Sequence, residues 1–103
     1  PRLNVNIYQL RILYNKTKTL YDMEKYEDAV NNAKQGIKIC IQQENMSIIG
    51  NFYYYIGQCY EKLEESPDII KEVYQKALFF FELLERTLYV DIIKQEKSIF
   101  LKN

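Results

Sequence analysis

The feature that most constrains the fold is an internal repetition of helix pairs. Apolar residues recur at three- and four-residue spacings along almost the whole chain, which predicts amphipathic helices. Small and aromatic positions of the first two predicted helices coincide with those of the next two after a shift of 40 or 41 residues. The matched pairs are Thr17 with Gly57, Leu20 with Tyr60, and Gly36 with Ala77. A hairpin that repeats at this interval is typical of an α-solenoid, whose units bury their apolar faces by stacking.

We predict an all-α chain of five helices, which make two full repeats and one C-terminal helix. The predicted spans end near residues 22–25 for the first helix and cover 26 to 42–45, 46–63, 67 onward, and 87–101 for the others. Ser66 is a suitable N-cap and Pro67 a suitable first residue for the fourth helix. Gly36 and Gly57 lie inside helices, where Gly costs about 1 kcal/mol relative to Ala. We therefore expect neighbouring helices to approach closely at both glycines.

The apolar spacing also predicts which side chains point inward. On the first helix the buried stripe begins at Leu3 and Ile7 and continues to Leu20. On the fifth helix the same spacing predicts an inward stripe of Leu88, Ile92, Gln95, Ile99 and Phe100.

Composition narrows the chemistry that such an array can perform. The chain has 14 basic and 14 acidic residues and no His, and its sequence pI is near 6.8. Without His, Ser-His and Cys-His catalysis and His-zinc sites are excluded within this chain, so we expect no enzyme, no metal and no cofactor. The balanced charge provides no field for binding nucleic acid. Cys40 and Cys59 lack a metal-ligand spacing and are expected to be buried thiols.

The longest apolar run, Ala77 to Phe81, has five residues, whereas a membrane helix needs about 20. No segment has the form of a signal peptide. Together with the two unpaired thiols, this predicts a cytoplasmic protein.

The residues also resemble a known repeat. Thr17 and Gly36 occupy the small positions of the tetratricopeptide (TPR) pattern, and the segment 26–29, YEDA, matches the start of the second helix of that repeat. The segments 56–60 and 74–78 match the pattern in the second unit. The chain departs from the pattern in its longer period, because a tetratricopeptide repeat has about 34 residues. The longer period implies longer helices.

A narrower resemblance lies in three segments. YNKTKTLYDMEKYEDAV, SIIGNFYYYIGQCYEKLE and YQKALFFFELLERTLY are similar to the C-terminal half of the PlcR-type peptide-sensing regulators, the group that includes the Rap, NprR and PrgX families. The resemblance implies a TPR-like array that binds a short imported signalling peptide, and an N-terminal helix-turn-helix domain that binds DNA. We expect residues 1–103 to be a single TPR-like domain from the C-terminal part of such a regulator, lacking its helix-turn-helix domain, and to form a homodimer.

The first helices of successive hairpins line the concave surface of such an array, so their polar faces are the candidate site. The polar face of the first helix carries Arg11, Asn15, Lys18, Thr19 and Asp22, and that of the third carries Ser47, Asn51, Tyr54 or Tyr55, Gln58 and Lys62. A side-chain amide can pair with both the N–H and the C=O of an extended peptide. The resemblance implies peptide contacts at Asn15, Thr19, Asn51 and Tyr89, and the aromatic residues, Tyr55 among them, would supply pockets.

Three other interpretations compete with a peptide sensor. The array could be an interaction or dimerisation scaffold without a small peptide ligand, because the tyrosine-rich faces also suit a protein interface. It could clamp a C-terminal carboxylate, although Arg11, Asn15 and Lys18 supply only half of such a cluster. The polar faces could simply be solvated, which is how we interpret the charge runs 62–65 and 94–97.

Overall fold

The computed structural model describes residues 2–102, with side chains for residues 8–102. The described residues form six helices: α1 (Arg2–Asp22), α2 (Tyr26–Gln42), α3 (Ile49–Lys62), α4 (Pro67–Leu83), α5 (Thr87–Glu96) and α6 (Ser98–Leu101). The predicted all-α array of TPR-like hairpins is confirmed. The predicted inward positions Leu3 and Ile7 lie outside the described side chains. Among the described residues, no helix combines the length and apolarity that crossing a membrane requires.

The packing order gives the stack its curvature. Consecutive helices pack against each other from α1 to α5, and α1 also packs against α3. In the described residues, no Cα atoms of α2 and α4 come within 8 Å of each other. Because α1 and α3 are closer than α2 and α4, the stack bends toward α1 and α3. We call the surface formed by α1, α3 and α5 the inner face.

Glycine explains how the helices approach so closely. A Cβ atom on Gly36 of α2 would lie 2.4 Å from Cζ of Phe52 on α3, and one on Gly57 of α3 would lie 2.5 Å from Cε1 of Tyr74 on α4. Phe52 and Tyr74 are fully buried. Each ring therefore fills the space that a side chain on the preceding helix would occupy. The close approach of neighbouring helices that was expected at both glycines is thus confirmed.

A polar contact within the core joins the first two helices. The side-chain amide of Asn32 on α2 donates to the Leu13 carbonyl at 2.7 Å and to Thr17 Oγ1 at 2.9 Å. Thr17 Oγ1 in turn donates to the Leu13 carbonyl. Both side chains are buried, so this network satisfies polar groups that would otherwise oppose the packing of α1 on α2.

Four helices end in the same way, with a glutamate in the left-handed conformation. Glu24, Glu44, Glu64 and Glu85 have φ between 53° and 61°. The amide of each glutamate and that of the residue after it donate to carbonyls of the preceding helical turn. This is the Schellman arrangement, which usually uses glycine. The chain thus turns at intervals of about 20 residues without glycine, and the turn positions explain the 40-residue period.

The C-terminal helix differs from the prediction. The expected helix over 87–101 is interrupted at Lys97, which lies between α5 and α6. Ile93 is the fully buried residue of α5, whereas Leu88 and Ile99 are 70% and 77% exposed. The prediction that Leu88 and Ile99 point inward is therefore wrong. Helix α5 rests on α4 through another face, the one that contains Ile93 and Val90.

In Gly57→Ala and Gly36→Ala a buried ring must move, which costs about 1–3 kcal/mol, while alanine gains about 1 kcal/mol of helix propensity. We therefore expect each variant to lower the free energy of unfolding by up to about 2 kcal/mol. Gly50→Ala is the comparison variant: its Cβ would meet Phe81 Cε1 at 3.1 Å, a tight contact that a smaller ring movement relieves, so its cost should be lower. Denaturant unfolding measures all three. Equal stability for Gly50→Ala and Gly57→Ala would contradict the packing described above.

The buried thiols predict a loss of stability at alkaline pH. Burial raises the pKa of Cys40 and of Cys59 from 9.0 to about 11. Between pH 9 and pH 11 the thiols of the unfolded chain lose protons that the folded chain retains, so the free energy of unfolding falls. The stability that the protonated thiols contribute is complete below pH 9 and is lost as the pH rises through 11. In the double variant Cys40→Ala/Cys59→Ala, the free energy of unfolding should fall less steeply over this range. An unchanged slope would show that the thiols are not responsible.

Candidate functional site

The inner face carries two rows of polar side chains. On α3, residues 51, 55, 58 and 62 share one face because they are spaced by three and four positions. On α1, Arg11, Asn15, Thr19 and Asp22 form the equivalent row, and all four are exposed. Asn15 and Thr19 are therefore neighbours on successive turns of α1, and Asn51 and Tyr55 are neighbours on successive turns of α3.

Asn51 is more buried than its position on a polar face predicted. Its side chain is 9% exposed, and its Oδ1 atom is buried without a hydrogen-bond partner among the described residues. The reason is packing, because α3 is contacted by α1, α2 and α4, whereas α1 is contacted by α2 and α3. An unpaired buried carbonyl costs about 1–3 kcal/mol. The inner face therefore contains an acceptor that the described residues leave unsatisfied.

Tyr55 joins the two rows. Its ring centroid lies 5.9 Å from that of Tyr14 and 5.6 Å from that of Tyr21, both on α1, in edge-to-face arrangements. The ring centroid of Tyr54, the residue before Tyr55 on α3, lies 6.1 Å from that of Tyr55 and 6.0 Å from that of Tyr74 on α4. A half-buried aromatic cluster therefore connects α1, α3 and α4 beside Asn51. Sequence analysis assigned a role to Tyr55 but not to Tyr14 or Tyr21.

The phenol groups of Tyr21, Tyr54 and Tyr55 stay protonated at neutral pH. Burial is the main cause that raises the pKa of Tyr55 to about 12 and the pKa values of Tyr21 and Tyr54 above 10.0. The nearby acidic groups Asp22 and Glu61 act in the same direction. A protonated phenol both donates and accepts hydrogen bonds, so these rings combine an apolar surface with a polar edge.

Tyr89 approaches the same region from the other side. Its ring is stacked on Phe81 of α4, with centroids 4.8 Å apart, and it remains 39% exposed. Phe81 in turn packs on Gly50, the residue before Asn51. Tyr89 is thus connected through Phe81 with Gly50, the neighbour of Asn51 in sequence, while Tyr55 contacts Tyr14, the neighbour of Asn15 in sequence.

A charged cluster at the far end of α3 was missed by sequence analysis. Lys97 Nζ lies 2.8 Å from Glu61 Oε2 and donates to Gln58 Oε1 at 2.9 Å. Tyr74 donates its hydroxyl hydrogen to the same Glu61 oxygen, and Lys97 Nζ lies 5.3 Å from the centroid of the Tyr74 ring. Lys97 is 9% exposed, so the prediction that 94–97 is a solvated run is wrong at this residue.

The site offers recognition groups: amides, phenols and apolar rings. Lys18 adds a cation, with its Nζ 5.6 Å from the centroid of the Tyr14 ring. In the described part of the chain, no three His, Cys, Asp or Glu residues are grouped as a metal site would require. Alternating amides and aromatic rings can bind an extended peptide through its main chain and its side chains.

Comparison with solved structures identifies a close structural relative. PlcR of Bacillus thuringiensis in complex with the peptide PapR7 and DNA aligns with a TM-score of 0.78 and 31% identity, over 95% of this chain and 32% of that one. PlcR in its apo form aligns with a TM-score of 0.77 and 32% identity, over 85% of this chain and 32% of that one. This chain therefore spans about a third of the length of PlcR.

The family comparison covers nearly the whole chain. No curated protein matches the sequence. The model of the RNPP family C-terminal domain matches residues 3–102. The chain therefore belongs to the RNPP family, and its helical array is similar to part of PlcR.

Proposed function

We propose that this chain binds a short signalling peptide on its inner face and thereby regulates a DNA-binding domain outside the 103 residues. The peptide lies across α1, α3 and α5. Asn15 and Asn51 hold its main chain, Thr19 adds a hydroxyl, and Tyr55 and Tyr89 contact its apolar side chains. The similarity to PlcR, which has been solved with a peptide and DNA, supports this proposal.

The observation that carries the proposal is the unpaired Oδ1 of Asn51. Folding has covered this carbonyl without giving it a donor among the described residues, whereas the amide nitrogen of the buried Asn32 donates two hydrogen bonds. A peptide N–H would supply the missing donor once the side chains that cover Oδ1 move aside. Because a buried unpaired acceptor is costly, its retention favours a role in binding rather than in folding.

The regulatory part of the proposal concerns the coupling between peptide and DNA. A peptide that binds one arrangement of the helices more tightly shifts the population toward that arrangement. We infer a helix-turn-helix domain in the longer protein that responds to this shift, a cytoplasmic location, and a regulatory rather than a catalytic role. The family and the similarity to PlcR support these inferences.

A second candidate function, a dimerisation scaffold, is favoured by the exposed apolar residues of α5 and α6. Leu88 on α5 and Ile99 on α6 are 70% and 77% exposed, one on each side of the break at Lys97. Exposed apolar side chains of this size suit a contact with a second copy of the chain. We therefore include a homodimer in the proposal. Sedimentation across concentration tests it: Leu88→Lys/Ile99→Lys should shift the protein to monomer if this face forms the dimer contact.

Peptide binding can be tested with an octapeptide library and fluorescence anisotropy. We expect saturable binding of a subset of octapeptides. Loss of one hydrogen bond of about 0.5–1.5 kcal/mol weakens binding by about 2- to 12-fold. Asn15→Ala and Asn51→Ala should each fall in that range, and the double variant should lose more. Asn31→Ala, an exposed amide on α2, is the matched control and should bind as the wild type does. If both inner-face variants keep full affinity, the peptide does not bind where we propose.

Stability and binding should separate at Asn51. We expect Asn51→Leu to raise the free energy of unfolding of the peptide-free protein by about 1–3 kcal/mol, because it removes an unpaired acceptor, and to weaken peptide binding at least as much as Asn51→Ala does. Asn32→Leu is the matched control. It breaks two hydrogen bonds of a buried amide and should destabilise the protein. Thermal unfolding measures both variants. If Asn51→Leu lowers the free energy of unfolding, the Asn51 amide stabilises the peptide-free fold and our explanation is wrong.

A further inference from the structure

The buried cluster around Lys97 has no part in the proposal so far. Lys97 belongs to neither α5 nor α6, and its backbone amide and carbonyl join the two helices through bonds to Ile93 and Phe100. In the described residues, no Cα atoms of α3 and α5 come within 8 Å of each other. The Lys97 side chain therefore crosses a gap to reach α3.

The chemistry of Lys97 fixes the orientation of the Gln58 amide. An ammonium group donates three hydrogen bonds and accepts none, so the Gln58 atom that faces it at 2.9 Å must be the carbonyl oxygen Oε1. The Nε2 group of Gln58 is then directed away from Lys97. Gln58 is half-buried and lies on the same face of α3 as Asn51 and Tyr55, and no described residue accepts a hydrogen bond from its Nε2, which leaves this group for a ligand on that face.

Glu61 keeps Lys97 in place. One oxygen of Glu61 accepts from both Lys97 and Tyr74, so α3, α4 and the α5–α6 junction meet at this atom. The Lys97 and Glu61 side chains are 11% and 28% exposed, which limits solvent screening of the pair. A buried ammonium group is stable only with such partners, so moving the Lys97 side chain away from Glu61 would cost free energy. Lys97 is therefore a fixed support for Gln58, not a mobile surface lysine.

We propose that Gln58 is a further peptide-binding residue that donates a hydrogen bond to a carbonyl oxygen of the peptide, and that Lys97 is the residue that positions it. This inference rests on the proposed function. It assigns opposite polarities to two amides on one face of α3: Asn51 offers an acceptor through Oδ1, and Gln58 offers a donor through Nε2. Together they match the N–H and C=O groups of an extended main chain, whatever its side chains are.

The variant Gln58→Glu tests the donor directly. A carboxylate at this position still accepts from Lys97, so the fold should keep its thermal stability. It replaces the donor with an acceptor, which repels a peptide carbonyl, so affinity should fall by about tenfold or more. The probe is the tightest octapeptide of the library screen, labelled for anisotropy. Gln35→Glu, on an exposed position of α2, is the matched control and should leave affinity unchanged.

Lys97 variants test the positioning role. Lys97→Met leaves Glu61 without its cation and should lower thermal stability, so binding is compared at a temperature at which this variant is still folded. There it releases the Gln58 amide to rotate and should weaken binding of the same octapeptide, whereas Lys97→Arg keeps a donor at this position and should retain most of the affinity. If the wild type binds a peptide and both Gln58→Glu and Lys97→Met bind it equally well, this inference is wrong while the proposed function stands. If the wild type binds no octapeptide, both are overturned.

Discussion

The whole array depends on one repeated contact, in which an aromatic ring occupies the place of a missing side chain on the preceding helix. Phe52 packs on Gly36, and Tyr74 packs on Gly57, so α2 meets α3 and α3 meets α4 at distances that any larger residue would prevent. These approaches determine the tilt of each hairpin on the next and, with it, the curvature toward α1 and α3. Because α3 takes part in both contacts, its inner row is held more firmly than the row on α1.

This firm packing has a chemical consequence. Buried polar groups in a native protein are normally paired, and in this fold Asn32, Thr17, Glu61 and Lys97 obey the rule. Asn51 does not, since its Oδ1 is covered and unpaired. The paired polar groups thus stabilise the fold. The row on α3, in contrast, retains an acceptor at Asn51 Oδ1 and an amide donor at Gln58 Nε2. The proposed peptide would complete that set.

Much of the fold could be predicted from sequence because its signals are local. The start of α4 follows from Ser66 and Pro67, and Ser66 Oγ does accept from the Ile69 amide. The glycines inside α2 and α3 required close neighbours, and the structure supplies them. The turns were harder, because glutamate in place of glycine at four left-handed positions hides the usual marker of a helix end.

The candidate site was harder to predict because burial depends on residues that are distant in sequence. Periodicity treats α5 and α6 as one helix, and so it placed Leu88 and Ile99 inward, although the break at Lys97 changes which face meets α4. Lys97 resembled a solvated lysine because its partners, Gln58 and Glu61, lie nearly 40 positions earlier. Asn15 and Asn51 carry the same local signal, yet only Asn51 is flanked by helices that cover it. Local patterns thus predict faces, but not which polar residue on a face is left without a partner.

The central claim is that the inner face presents amide groups that a peptide main chain satisfies. The most direct measurement is the NMR spectrum of the side-chain amides during titration with a tightly binding octapeptide. The account predicts that the Asn51 and Gln58 NH₂ signals shift saturably and that the Gln58 NH₂, which donates to the peptide, exchanges more slowly with solvent, while the signals of Asn31 on α2 stay in place. Saturable peptide binding that leaves the Asn51 and Gln58 signals unmoved would contradict the account.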